Sequence, residues 1–230
     1  MRGLSLLMKR SQLLNELASC IVQIEQSHPI RVAIDGVDAA GKTTLAEELV
    51  PFIQAQGRPV IRASIDGFHH PSHVRHQRGA TSPVGYYHDS FNYQALAKWL
   101  LIPLGPQGSL EYCTVVFDYR ADSERPMTLK TAETNAILLF DGVFLLRPEL
   151  RAYWDFTIFV EATFEVTLAR AMQRDLALFG TAEEVKQRYE QRYIPGRQLY
   201  LPECQPKERA RVVIDNNDPS NPVASYRTNS

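Results

Sequence analysis

The sequence predicts an α/β protein built as a three-layer sandwich, with a five-stranded, mainly parallel sheet between layers of helices. Three observations carry this. Five short apolar runs, at 30–34, 59–65, 112–117, 136–140 and 156–160, lack the polar alternation of a half-exposed strand, so both faces are covered. Helical spacing recurs between most of these runs. The first run ends in a glycine-rich turn that opens directly into a helix.

The elements follow in order. Leu14, Leu17, Ile21 and Ile24 recur at helical spacing, which predicts an amphipathic helix within the N-terminal segment 1–29. The strand "IRVAI" (30–34) comes next, then a helix from Lys42 with Leu45, Leu49 and Phe52 on one face. "PVIRASI" (59–65), "YCTVVF" (112–117), "AILLF" (136–140) and "FTIFV" (156–160) give the other four strands, with helices near 92–101, 162–178 and 182–193. "RVVI" (211–214) is a last short strand, after which 219–230 is expected to be a frayed polar tail. "PLGPQGS" (103–109) reads as a surface turn. The expected organisation is one domain over 1–218.

Composition excludes several function classes. At 230 residues, 44% hydrophobic and 22% charged, the chain is an ordinary globular protein. Its formal net charge of −1 gives no bulk attraction for nucleic acid. No apolar run approaches the ~18 residues of a membrane span, and "MRGLSLLMKR" is too short in its apolar part for a signal peptide. Cys20, Cys113 and Cys204 are odd in number and lack metal spacing, so reduced thiols in a cytoplasmic protein are expected. The residues leave the oligomeric state open, a homo-oligomer included.

The glycine-rich turn carries the chemistry. "GVDAAGKT", Gly36 to Thr43, matches G-x-x-x-x-G-K-[ST] between a strand and a helix, the context a phosphate-binding P-loop requires. Its glycines let successive backbone N–H groups turn toward phosphate oxygens, and the helix adds the positive end of its dipole. The expected nucleotide-binding residues are Gly36, Val37, Asp38, Ala39, Ala40, Gly41, Lys42, Thr43 and Thr44. Lys42 reaches the β- and γ-phosphates, and the Thr43 hydroxyl ligates Mg²⁺. The fold is then a P-loop NTPase sandwich and the bound molecule a nucleoside triphosphate.

Two acids follow strands. Asp141 closes "AILLF", where a Walker B carboxylate serves the metal directly or through water. Asp66 ends the second strand in "ASIDGFHH" and projects toward the same crevice. Phosphoryl transfer to a hydroxyl needs the acceptor held in line and its proton taken, and Asp66 is the candidate base. Residues 66–91 hold five of the six histidines with little periodicity; a loop of that length inside a compact domain is usually functional.

With these residues placed, the chain resembles the uridine kinase and phosphoribulokinase-like group of P-loop kinases from about Ile30 to Asp218. "SIDGFHH" resembles the segment whose aspartate activates the acceptor hydroxyl, here Asp66. "HDSFN" is similar to the group's His-Pro-Asp-Ala-Phe-Asp stretch, which assigns the ribose hydroxyls to Asp89. "VVFDYRADSE" resembles its Val-Tyr-Asp-Phe segment and puts Phe117 and Asp118 beside the nucleoside. "FDGVFLL" resembles its acid-glycine segment, and "YLPECQPKERARVVIDN" its C-terminal one. "LARAMQRD" resembles the lid helix whose arginines contact ATP phosphates, which gives Arg170 and Arg174 in a lid region 162–195 and makes 66–91 the acceptor loop. The resemblance implies an ATP-dependent small-molecule kinase, uridine or cytidine being its acceptor. Departures are visible: Asp141 stands where the group commonly has Glu, the proline of the His-Pro-Asp stretch is absent, Asp122 lies near the place of a pyrimidine-recognising histidine, and Phe117 lacks a phenolic hydroxyl.

The remaining signals are weaker. His69 and Tyr87 are placed with the acceptor, Tyr86 and Phe68 being further candidates to stack on a planar base; a zinc site among the loop histidines lacks a carboxylate at ligand spacing. Arg188 and Arg192 are either a solvated face or substrate contacts. A guanine-switch protein would carry Asn-Lys-x-Asp, and "IDNND" lacks the lysine. A silent nucleotide-binding regulator or a kinase of another metabolite, a sugar or vitamin precursor, are the alternatives.

Overall fold

The computed structural model describes residues 5–7 and 9–227. Its centre is a sheet of seven strands: β1 (Ser5–Leu7), β2 (Ile30–Gly36), β3 (Val60–Ser64), β4 (Ile137–Asp141), β5 (Phe156–Glu161), β6 (Val212–Asp215) and β7 (Val223–Tyr226). Their spatial order is β1-β7-β6-β5-β2-β4-β3. The five strands from β6 to β3 are parallel; β7 runs antiparallel to β6, and the three-residue edge strand β1 antiparallel to β7. Every residue of β2 and β4 is buried, which their unbroken apolar character demands.

The expected five-strand sheet is therefore corrected: it loses one strand and gains three, β1, β6 (the expected last short strand) and β7. The 112–117 run contributes no strand to it; only Glu111–Tyr112 and Phe117–Asp118 are extended, each in a two-stranded ladder beside the main sheet. Tyr112, Cys113 and Phe117 bury their side chains there, so the run is apolar without belonging to the sheet. The polar tail supplies β7, whose Ala224 is fully buried between half-buried Val223 and Ser225. Residues 1–4, 8 and 228–230 of the N-terminal and tail segments lie outside the described residues.

Helices α1 (Arg10–Val22) and α2 (Lys42–Gln54) pack on each other, burying Leu13, Leu17 and Ile21 against Leu45, Leu49 and Ile53 within the main core. Residues 66–91, expected as a loop, are not structureless. Helix α3 (Pro83–Asp89) is capped by Ser82, whose hydroxyl accepts from Gly85 N at 3.0 Å. Helices α4 (Phe164–Arg174), α5 (Ala182–Arg188) and α6 (Ile194–Cys204) follow β5, and Ala171, Val185 and Tyr189 form a small second core against Ala39 of the phosphate loop. Register fixes the working edge: Ile34 and Ser64 both pair with Asp141, so β3 and β4 end level while β2 runs on to Gly36 beside them. Ligand crevices in parallel sheets lie beyond such carboxyl ends.

Candidate active site

The loop from Gly36 to Lys42 is shaped by contacts no side chain would tolerate. A Cβ on Gly36 would lie 2.1 Å from the Val160 carbonyl oxygen of β5. Gly41 has φ +96°, and a Cβ there would lie 2.7 Å from Asn216 Nδ2. Asn216 Nδ2 donates to the Ala40 carbonyl at 2.7 Å, tying the loop to the end of β6. Lys42 Nζ arches back to the Val37 carbonyl at 2.7 Å. Burial lowers the Lys42 pKa while Asp38, Asp35 and Asp141 pull it up. Beneath the loop, Asp35 accepts from Gly36 N at 2.8 Å and from the Tyr200 hydroxyl, and complete burial raises its pKa to about 6.

Asp141, at the end of β4, and Asp66, just beyond β3, border the same cleft as the phosphate loop. Asp141, 2% exposed, accepts from the Thr43 hydroxyl at 2.6 Å and from Arg62 Nη2 at 2.7 Å. Arg62 also donates to the Leu139 carbonyl at 2.5 Å, a partner set by the in-register pairing of Arg62 with Leu139. Asp66 lies in the short turn directly after β3, open to the cleft. Desolvation within the cleft, and next the negative charge of Asp141, raise its pKa to about 6, against the pull of Lys42.

These groups line one cleft of about 730 Å³, which also receives His69, Tyr86, Phe91, Tyr119, Tyr189 and Tyr193. His69 stacks on Tyr119 with ring centroids 4.7 Å apart, and burial lowers its pKa to about 4, so it is neutral at physiological pH. A second cavity of about 350 Å³ adjoins the far end of the loop, lined by Arg10, Gly41, Thr44, Arg170 and Asn216 among others. Arg170 borders both cavities.

Residues 31–217 match the model of the phosphoribulokinase / uridine kinase family. The chain belongs to that family. A uridine-cytidine kinase B from Dictyostelium discoideum is 26% identical over 190 residues, covering 81% of this chain and 74% of its own. A uridine kinase from Ligilactobacillus salivarius is 22% identical over 209 residues, covering 86% of this chain and 90% of its own. The solved structure of a possible uridine kinase from Bacillus stearothermophilus superposes with a TM-score of 0.68 at 22% identity, over 88% of this chain and 97% of its own. A D-glycerate 3-kinase from Cryptococcus neoformans reaches 0.59 at 13% identity, over 84% of this chain and 89% of its own. At such identities the two structures speak for the fold alone. As a member of this family the chain is a kinase that moves phosphate from ATP to an alcohol group of a small molecule.

Against this kinase's cleft, the sequence-predicted residues divide. Asp38, Ala39, Gly41, Lys42, Thr43, Thr44, Asp66, His69, Asp141, Arg170 and Arg174 line it; Gly36, Val37 and Ala40 build the loop from behind, Ala40 being fully buried. Four expected acceptor contacts are absent from the lining. Asp89 is buried at the end of α3 and accepts from Arg78 Nε at 2.8 Å. Phe117 is buried, and Asp118 accepts from Arg120 N and Ala121 N at 3.0 and 3.1 Å, so it shapes a turn. Tyr87 points into the core, 1% exposed, beneath the Arg147 guanidinium. Their neighbours take the wall instead: Tyr86 for Tyr87, and Tyr119 with Arg120 for Phe117 and Asp118. The aromatic pair "YY" announced a ring at the wall, but only the packing of α3 decides which tyrosine faces it.

Arg170 and Arg174, the two arginines expected in a lid, are held in different ways. Arg170 Nη2 donates to the Asn216 and Asn217 carbonyls at 2.9 and 3.1 Å, while its buried Nη1 has no hydrogen-bond partner. Arg174 is clasped by Asp175 at 2.6 and 2.9 Å and by the Tyr189 hydroxyl at 3.2 Å. Arg192 is buried, donates to the Ala80 carbonyl and lies over the Tyr86 ring; Arg188 covers Phe179. For a metal, the Thr43 hydroxyl and the Asp141 carboxylate form a hard-oxygen pair beside the phosphate cradle. Such a pair suits Mg²⁺, which takes few protein oxygens and completes its shell with phosphates and water.

Proposed function

We propose that this kinase phosphorylates the primary hydroxyl of a nucleoside, uridine or cytidine being the first acceptors to test. The observation that carries the reading is the shared cleft: the phosphate loop and the Asp66 carboxylate face the same space. The loop amides, with Lys42, bind the β- and γ-phosphates of ATP, and the smaller cavity beyond Thr44 takes the purine, bordered by Arg10 and Arg170. Thr43 and Asp141 hold Mg²⁺, which when bound neutralises charge on the phosphates. Asp66 accepts the proton of the attacking hydroxyl; a pKa of about 6 leaves it ionised at neutral pH and still basic enough to take a proton. Arg174 stands free enough, 60% exposed, to turn from Asp175 toward the transferring group. The aromatic wall of Tyr86, Phe91 and Tyr119 offers flat apolar faces to a base or sugar ring.

One set of observations favours a second reading, in which the acceptor is another small polyol. Asp122 is spent on Ser72 and Arg75, accepting at 2.8 and 2.9 Å, and Asp89 on Arg78, so two positions with a nucleoside role in the resemblance are engaged elsewhere. A coupled assay with Mg·ATP and a panel of nucleosides, sugars and sugar acids decides. Turnover of uridine or cytidine above the others supports the first reading; turnover of a sugar or sugar acid alone replaces it with the second.

A further inference from the structure

A carboxylate inside a phosphate cradle works against the cradle. Asp38 is the third residue of the loop, and its charge opposes a polyphosphate as the amides, Lys42 and the helix dipole attract it. Yet the surroundings hold this carboxylate in place and aim it. The Tyr86 hydroxyl donates to Oδ1 at 2.9 Å. Tyr86 is itself fixed, 6% exposed, its ring edge-on to Phe144 at 5.1 Å and to Tyr193 at 4.8 Å. Helix α6 closes the remaining side, where even a Cβ on Gly196 would lie 2.7 Å from the Tyr86 ring. Oδ2 accepts no hydrogen bond among the described residues, and Asp38 borders the cleft that holds Asp66 and the aromatic wall.

We propose that Asp38 binds a hydroxyl of the acceptor, so that the molecule phosphorylated carries at least two hydroxyls, one for Asp66 and one for Asp38. This rests on the reading of the cleft as a kinase acceptor site, and it moves the sugar-holding role from Asp89, which is paired with Arg78 away from the cleft, into the phosphate loop itself. A carboxylate accepts from hydroxyls with short, charge-assisted bonds, and a site built around it discriminates strongly against an acceptor lacking the donor. The cradle accepts weaker ATP binding in exchange for acceptor selection.

That opposition gives the test a signature that a structural role lacks. In D38N the Asn oxygen still accepts from Tyr86, but the negative charge is gone. Titration with the non-hydrolysable analogue AMP-PNP should show binding at least threefold tighter than in the wild type. With uridine and 2′,3′-dideoxyuridine, and with D-ribose and simple monohydroxylic alcohols, the wild type should turn over only acceptors having a second hydroxyl. D38N should raise the acceptor KM at least tenfold and lose that discrimination. Y86F, which removes the donor that aims Asp38, should raise the acceptor KM several-fold with AMP-PNP affinity unchanged. Weaker AMP-PNP binding in D38N with an unchanged acceptor KM overturns the proposal, as does full-rate turnover of an alcohol with a single hydroxyl. If the wild type phosphorylates ribose but no nucleoside, the nucleoside reading falls while Asp38 is judged on ribose. If no acceptor is turned over, tighter AMP-PNP binding supports the role and weaker or unchanged binding overturns it.

Discussion

The raised pKa of Asp66 makes a prediction that can be worked through from its causes. The pKa of about 6 arises first from desolvation within the cleft and then from the charge of Asp141, with Lys42 opposing. A base acts only when ionised, so activity falls as pH drops through that value. With an inflection at about 6, kcat/KM for the acceptor rises roughly tenfold between pH 5 and pH 7 and is flat above. The causes can be removed singly. D141N deletes the second-largest upward influence and should move the inflection to lower pH, even at reduced rate; K42M deletes a downward one and should move it up. The folding linkage has its own sign: because the folded pKa lies above the unfolded one, Asp66 favours the folded state less as pH rises from 3.8 through about 6. The assay is a coupled ATP-consumption measurement from pH 4.5 to 8 on wild type and variants. A flat profile, or an inflection that stays put in D141N and K42M, would refute the assignment.

Three further outcomes follow from named contacts. G41A forces a side chain into φ +96° against Asn216 and should weaken ATP binding at least tenfold by titration, about 1–2 kcal/mol of it from the backbone alone. Y200F strips a donor from buried Asp35 and an acceptor from Leu146 N and should cost ~2–4 kcal/mol in urea unfolding, more at pH 8 than at pH 5, where Asp35 is largely protonated. R62Q leaves the nearly buried Asp141 short of its 2.7 Å cation and should cost ~1–3 kcal/mol, with a larger loss in Mg²⁺-dependent than in Mg²⁺-free ATP binding.

What the sequence disclosed depended on how local each signal was. The phosphate loop is a contiguous string whose spacing is dictated by backbone contacts, so Gly36, Gly41, Lys42 and Thr43 were legible one by one. Asp66 and Asp141 were legible as acids at strand ends, because parallel register brings such ends to one edge. The aromatic wall of the cleft was not. Whether Asp118 or Tyr119 faces the cleft depends on the turn at 118–122, where Asp122 has φ +49°, and nothing in the residue types fixes that direction. Tyr86 and Tyr87 differ by ~100° around α3, a phase set by Phe144, Tyr193 and Arg147 from distant parts of the chain. The run 112–117 misled because burial beside a sheet and burial within one leave the same apolar signature, and β7 was missed because only Ala224 of its four residues is fully buried, too short a pattern to stand out in a polar tail.

In the proposed reaction Asp66 serves the transfer step and not the binding of ATP. Rapid-quench measurement of a single turnover in D66N, alongside titration of Mg·AMP-PNP, tests it most directly. Analogue affinity should stay within about threefold of wild type while transfer slows by ~10²-fold or more. Transfer within tenfold of the wild-type rate, or loss of nucleotide binding in step with it, would contradict the account.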